Sequence, residues 1–135
     1  MSSNLSNENE FLAELKRLRR MFHKNPETGF IEFWTTARIC EYLNGLNCTL
    51  LYGESLYNNF PEPELLEKWD NKTYKAAKEQ YKGDEWINRL KGRTGLVAII
   101  KGKAAGPKVC FRFDIYGLPI KESNEDSHID RKSVV

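Results

Sequence analysis

The last third of the chain holds two runs of residues that a β-sheet accommodates better than any other structure. Thr94 to Gly102, TGLVAIIKG, and Lys108 to Ile115, KVCFRFDI, are dominated by β-branched, aliphatic and aromatic side chains, which suit a pleated, half-buried surface. Between them KAAGP, Lys103 to Pro107, supplies turn residues, so the two runs are expected to pair as a hairpin with a longer loop. The stretch LVAII has no polar alternation. It reads as a strand covered on both faces, as in the sheet of an α/β domain. These strands have too few partners in the sequence to complete a sheet, so at least one edge is expected to await another strand.

Upstream the apolar spacing changes from two to three and four. Phe11, Leu12, Leu15, Leu18 and Phe22 form one stripe, which predicts an amphipathic helix from Asn9 onward. Lys16, Arg17, Arg19 and Arg20 fill its solvated side, near the end where cations suit the helix dipole. In HKNPETGF, His23 to Phe30, Pro26 pushes Asn25 out of helical space and Gly29 permits a sharp turn. A second helix is predicted in IEFWTTARICEYLNGL, with Phe33, Ala37, Cys40 and Leu43 on one face. Gly45 is placed to end it in a left-handed conformation with Leu46 packing back. CTLLYG, Cys48 to Gly53, predicts a short strand.

Pro61 and Pro63 then open a charged segment in which Leu65, Leu66, Trp69, Tyr74, Ala77, Tyr81, Trp86 and Leu90 recur at broadly helical spacing. This predicts a helical insert over about 56–93, two or three short helices packed over a sheet edge. Asp70 or Asn71 is placed to cap one helix, and Lys82-Gly83-Asp84 separates the next. The aromatic stripe reads as core, since aromatic rings dominate burial energetics.

Composition narrows the function classes. A chain of 135 residues with 40% hydrophobic content suits one domain, and 21 basic against 19 acidic residues leave a formal charge of +2. That near balance gives no electrostatic case for nucleic acid or an anionic membrane as partner. The first ten residues, MSSNLSNENE, lack the basic and apolar regions of a signal peptide, and LVAII is far too short to span a bilayer. A cytoplasmic location is expected. Cys40, Cys48 and Cys110 fit no metal-binding or disulfide spacing, which predicts buried, reduced thiols and no metal ligand among them. Asp114 stands at the C-terminal end of the second strand run, before the turn YGLPI. In open α/β sheets ligands gather outside the carboxyl ends of strands, which makes Asp114 a candidate site residue.

The residues LRRMFHKNPETGFIEFWTT followed by TGLVAIIKGKAAGPKVCFRFDIYGLPIKE resemble the start of a family of metal-dependent amidohydrolases and peptidases. That family includes hippurate hydrolase, auxin-conjugate hydrolases and aminobenzoyl-glutamate hydrolase. Its pattern reads H-x-x-P-E, then T-G-[LV]-V-A, G-P, and R-x-D-x-D-A-L-P-x-x-E. The placement of the helical insert is most similar to the aminobenzoyl-glutamate hydrolase branch. The resemblance implies that residues 1–129 are the N-terminal portion of a metallopeptidase-type α/β catalytic domain, built from two helices, the insert and the hairpin. It further implies cleavage of the amide between an acyl or aryl group and an amino acid, with a small-molecule amide as substrate. Two divalent ions, zinc, manganese or cobalt, are implied in the whole enzyme, and a dimeric parent. None is expected to be bound by this chain alone, which is expected to be inactive, because C-G-H-D, the paired glutamates and the distal histidine are not among its residues.

Residue by residue, the resemblance assigns Asp114 a supporting role, fixing the orientation of a ligand histidine. Arg112 stands where related enzymes carry a ligand histidine in an H-x-D pair. Tyr116 replaces the second aspartate of the motif, exchanging a fixed negative charge for a neutral phenol. Glu122 fits P-x-x-E and His128 a position near the site entrance, so both are candidates for contact with substrate, with a turn-orienting role for Glu122 and a solvated loop position for His128 as the alternatives. His23 and Glu27 match H-x-x-P-E, but local hydrogen bonding accounts for such residues without a functional role. The competing reading is a stand-alone binding or interaction module derived from the same fold, to which Tyr116 lends support. The final six residues, DRKSVV, coincide with the in-frame translation of a sequencing adapter, GAT CGG AAG AGC GTC GTG, whose next triplet is a stop. Residues 130–135 are accordingly expected to be a non-native tail, with the natural chain continuing past Ile129.

Overall fold

The computed structural model describes residues 2–58 and 71–118, with side chains at 8–58 and 72–118. Glu27–Tyr116 forms one compact unit, and the first helix belongs to a second. That helix, α1 (Ser2–His23), starts earlier than the stripe from Asn9 predicts. Lys16, Arg17 and Arg20 are exposed, as expected of a solvated face, whereas Arg19 is half-buried and Phe11, Leu12 and Leu15 of the stripe are themselves exposed; Glu14 holds Arg17 at 2.7 Å. The helix closes where Asn25 Nδ2 donates to the Met21 carbonyl at 2.9 Å, one residue before Pro26.

The larger unit is organised around α2 (Phe33–Asn44), which buries Phe33, Thr35, Thr36, Ala37 and Cys40 along one side. Three of these belong to the predicted face. A hydrogen bond from Leu46 N to Leu43 O at 2.9 Å turns the chain at the helix end. Gly45 is right-handed there, at φ −76°, and Leu46 is 53% exposed. The expected left-handed cap is thus not made, because this short backbone turn satisfies the carbonyl without it.

The predicted strand at Cys48–Gly53 forms as β1 (Thr49–Tyr52). Its partner is β2 (Leu96–Ile99), antiparallel, with Thr49 opposite Ile99 and Tyr52 opposite Leu96. The expected hairpin between Thr94–Gly102 and Lys108–Ile115 is not formed. Among the described residues β2 pairs with β1, and Lys108–Ile115 joins no ladder. Strand propensity records the fit of side chains to a sheet surface and does not choose the neighbouring strand. The expected two-sided cover of LVAII is also absent among the described residues, with Val97 and Ile99 exposed.

The insert lies between the paired strands. Its described helices are α3 (Glu54–Tyr57), α4 (Asn71–Gln80) and α5 (Glu85–Leu90). Leu65, Leu66, Trp69 and the possible cap Asp70 lie outside the described residues. Ile87 and Leu90 of α5 meet Phe33 and Ala37 of α2 in the core, and Tyr52, Tyr74, Ala77, Tyr81 and Trp86 pack around them. The described part of the stripe, Tyr74, Ala77, Tyr81, Trp86 and Leu90, therefore packs into the core, resting on α2 more than on a sheet edge. Phe33 and Tyr74 have ring centroids 5.4 Å apart, and Tyr52 on β1 lies 5.9 Å from Trp86. The break at Lys82-Gly83-Asp84 ends in a cap, where Asp84 Oδ1 accepts from Trp86 N at 3.0 Å and Ile87 N at 3.1 Å. Arg38 of α2 pairs with the other oxygen of Asp84.

Gly53 has φ +55°, and a Cβ there would lie 3.0 Å from Arg89 O and 3.1 Å from Leu90 O. Gly83 has φ +86° with open space around it. Alanine at Gly83 therefore meets only the left-handed backbone penalty, about 1–2 kcal/mol. Alanine at Gly53 adds a backbone clash, so Gly53→Ala is expected to lower the urea midpoint clearly more than Gly83→Ala. Equal midpoints would contradict the close approach of α5 to Gly53.

Candidate functional site

Arg112, Asp114 and Tyr116 lie on the extended segment that follows β2. Contacts two residues apart show its alternation: the rings of Phe111 and Phe113 stack at 6.4 Å, and Arg112 Nη2 donates to Asp114 Oδ1 at 2.9 Å. Side chains of an extended strand alternate between faces, which puts Arg112 and Asp114 on one face and Phe111 and Phe113 on the other. Both faces are open to solvent, with Phe111 76% and Phe113 78% exposed. The ion pair is exposed too, at 86% for Arg112 and 57% for Asp114, so it contributes no more than about 1 kcal/mol. Tyr116 is also exposed. Glu122 and His128 lie outside the described residues.

The chemistry of this arrangement is that of an accessible carboxylate held by one guanidinium. A carboxylate can orient an imidazole or accept hydrogen bonds from a substrate. Metal activation of water needs several converging ligands. Among the described residues no three His, Cys, Asp or Glu side chains come together, so these residues do not by themselves fit the implied two-metal site.

Of the H-x-x-P-E residues, His23 is the half-buried last residue of α1, and Glu27 has a defined framework role. Glu27 Oε1 accepts from Trp34 N at 3.0 Å and Oε2 from Thr35 N at 2.7 Å. These are N–H groups of the first turn of α2, which lack partners within the helix and sit at its positive end. Glu32, in the capping position, makes no side-chain cap bond. A carboxylate five residues earlier in the chain does that work.

The Thr-Gly pair before β2 is also held by the framework. Gly95, at φ +81°, donates its N–H to the buried Thr36 Oγ1 at 3.0 Å. The Tyr57 hydroxyl donates to Thr94 O at 2.8 Å, and burial raises the Tyr57 pKa. Within α2 the sequence signal for this joint is Thr36, a hydroxyl on the otherwise apolar buried face.

Among the cysteines, Cys40 is buried as expected, Cys48 is half-buried and Cys110 is exposed. The exposure of Cys110 corrects the expectation for that residue, and follows from its place on a segment with no ladder partner. Burial pushes the Cys40 thiol up to about 11.

With this geometry in view, the chain can be set against known proteins. It matches no family model, and no solved structure matches it. It is 32% identical over 122 residues to a p-aminobenzoyl-glutamate hydrolase subunit homolog of Haemophilus influenzae, covering 90% of this chain and 29% of that protein. It is 30% identical over 122 residues to a p-aminobenzoyl-glutamate hydrolase subunit of Escherichia coli, covering 89% and 28%. The chain is homologous to the amidohydrolase/peptidase group. A third member, indole-3-acetyl-aspartic acid hydrolase of Enterobacter agglomerans, is 27% identical over 125 residues, covering 88% and 28%. The chain thus spans less than a third of the length of these relatives.

The helix cap and the thiols can each be tested. Glu27→Ala should lower stability by about 0.5–2 kcal/mol, the usual cost of a lost helix cap, read as a shifted denaturation midpoint with unchanged helix content at low urea. An unshifted midpoint would show the cap to be idle. The Cys40 pKa is raised in the folded chain, so its contribution to stability is complete below about 9 and declines as pH rises toward about 11. Iodoacetamide at pH 8 should alkylate Cys110 quickly and Cys40 only on unfolding, and mass mapping that finds Cys40 modified first would contradict this.

Proposed function

We propose that this chain is part of a metal-dependent amidohydrolase that cleaves the amide between an aromatic acyl group and an acidic amino acid. The observation that carries the reading is similarity over about nine-tenths of the chain to hydrolases named for aminobenzoyl-glutamate and indole-3-acetyl-aspartate. Both named substrates join an aromatic acid to a dicarboxylic amino acid, so the common chemical target is the amide between those halves. Asp114 supports the site by orienting a ligand side chain from elsewhere in the protein. Arg112 biases the orientation of Asp114, and Tyr116 weakens the acidic character of the site. Glu122 and His128 contribute on the substrate side. Divalent metal, in this reading, is held by residues other than those described here.

The test uses the complete reading frame recovered from source DNA, expressed with zinc, manganese or cobalt and assayed for release of p-aminobenzoate from aminobenzoyl-glutamate and of indole-3-acetate from its aspartate conjugate. Cleavage of at least one is expected. Changing a group that supports a metal ligand typically costs about 10–100-fold, and Asp114→Asn should fall in that range while Tyr116→Asp raises turnover. The 135-residue chain alone should show no micromolar zinc or manganese binding by calorimetry. Failure of the complete protein to cleave either conjugate would sink the proposal.

A further inference from the structure

We draw no further inference here: the strongest candidate, the exposed apolar face of Val109, Phe111 and Phe113 on the extended segment after β2, carries nothing because nothing in the structure shows what covers it.

Discussion

Contact between one face of α2 and one face of α5 gives the larger unit its interior. Phe33, Ala37, Ile87 and Leu90 are each at most 1% exposed, and Tyr74, Ala77, Tyr81 and Trp86 of the insert pack around them. A helix of six residues such as α5 has no independent stability, since isolated helices shorter than about 12–15 residues are marginal in water. Its existence depends on this burial and on the Asp84 cap. The two-stranded ribbon is in the same position, because a lone pair of strands is marginal without a packed face. Tyr52 against Trp86 ties β1 to the insert and hence to α2.

Polar joints then fix the direction in which the chain leaves this core. Glu27 caps α2, Asp84 joins the start of α5 to Arg38 on α2, and Thr36 with Tyr57 holds Thr94 and Gly95. Thr36 and Thr94 are buried, where losing a partner leaves an unsatisfied group at a cost of about 1–3 kcal/mol. Two stretches that the family pattern singles out, the Pro-Glu near the start and the Thr-Gly before β2, are therefore framework. Glu27 sets where α2 begins and the Thr-Gly joint where β2 begins, which is a structural reason for those residue types.

What was legible in the sequence was what local pattern determines. The α2 stripe, the strand at Thr49–Tyr52 and the core role of Tyr74, Tyr81 and Trp86 all follow from spacing, and the Gly83-Asp84 break from turn and cap chemistry. Strand partnership was not legible, because the runs at Leu96 and Val109 each favour extended backbone without naming a neighbour. β1 became the partner of β2 across the whole insert, from Tyr52 to Leu96 and from Thr49 to Ile99. The end of α2 misled for a related reason: Gly45 permits a left-handed cap but does not require one. Phe30 takes a positive φ of 72°, the conformation a reader would have assigned to Gly29. Asp114 was singled out by its place at the end of a strand-like run, which forms no ladder among the described residues; resemblance supplied its role.

The solvation of Asp114 sets it apart from the polar joints of the core. A carboxylate that orients a ligand must itself be held, and burial with directed hydrogen bonds is what makes such holding strong. Asp114 has Arg112 as its hydrogen-bond partner among the described residues, on a neighbouring position of the same extended segment and in contact with water. An exposed pair of that kind is comparable with thermal energy, so it biases the carboxylate without fixing it. The packed core around α2 and the joint it makes reach as far as Gly95, well short of Asp114 along the chain. Precise geometry at Asp114 would therefore require neighbours that enclose the Lys108–Tyr116 segment on both faces.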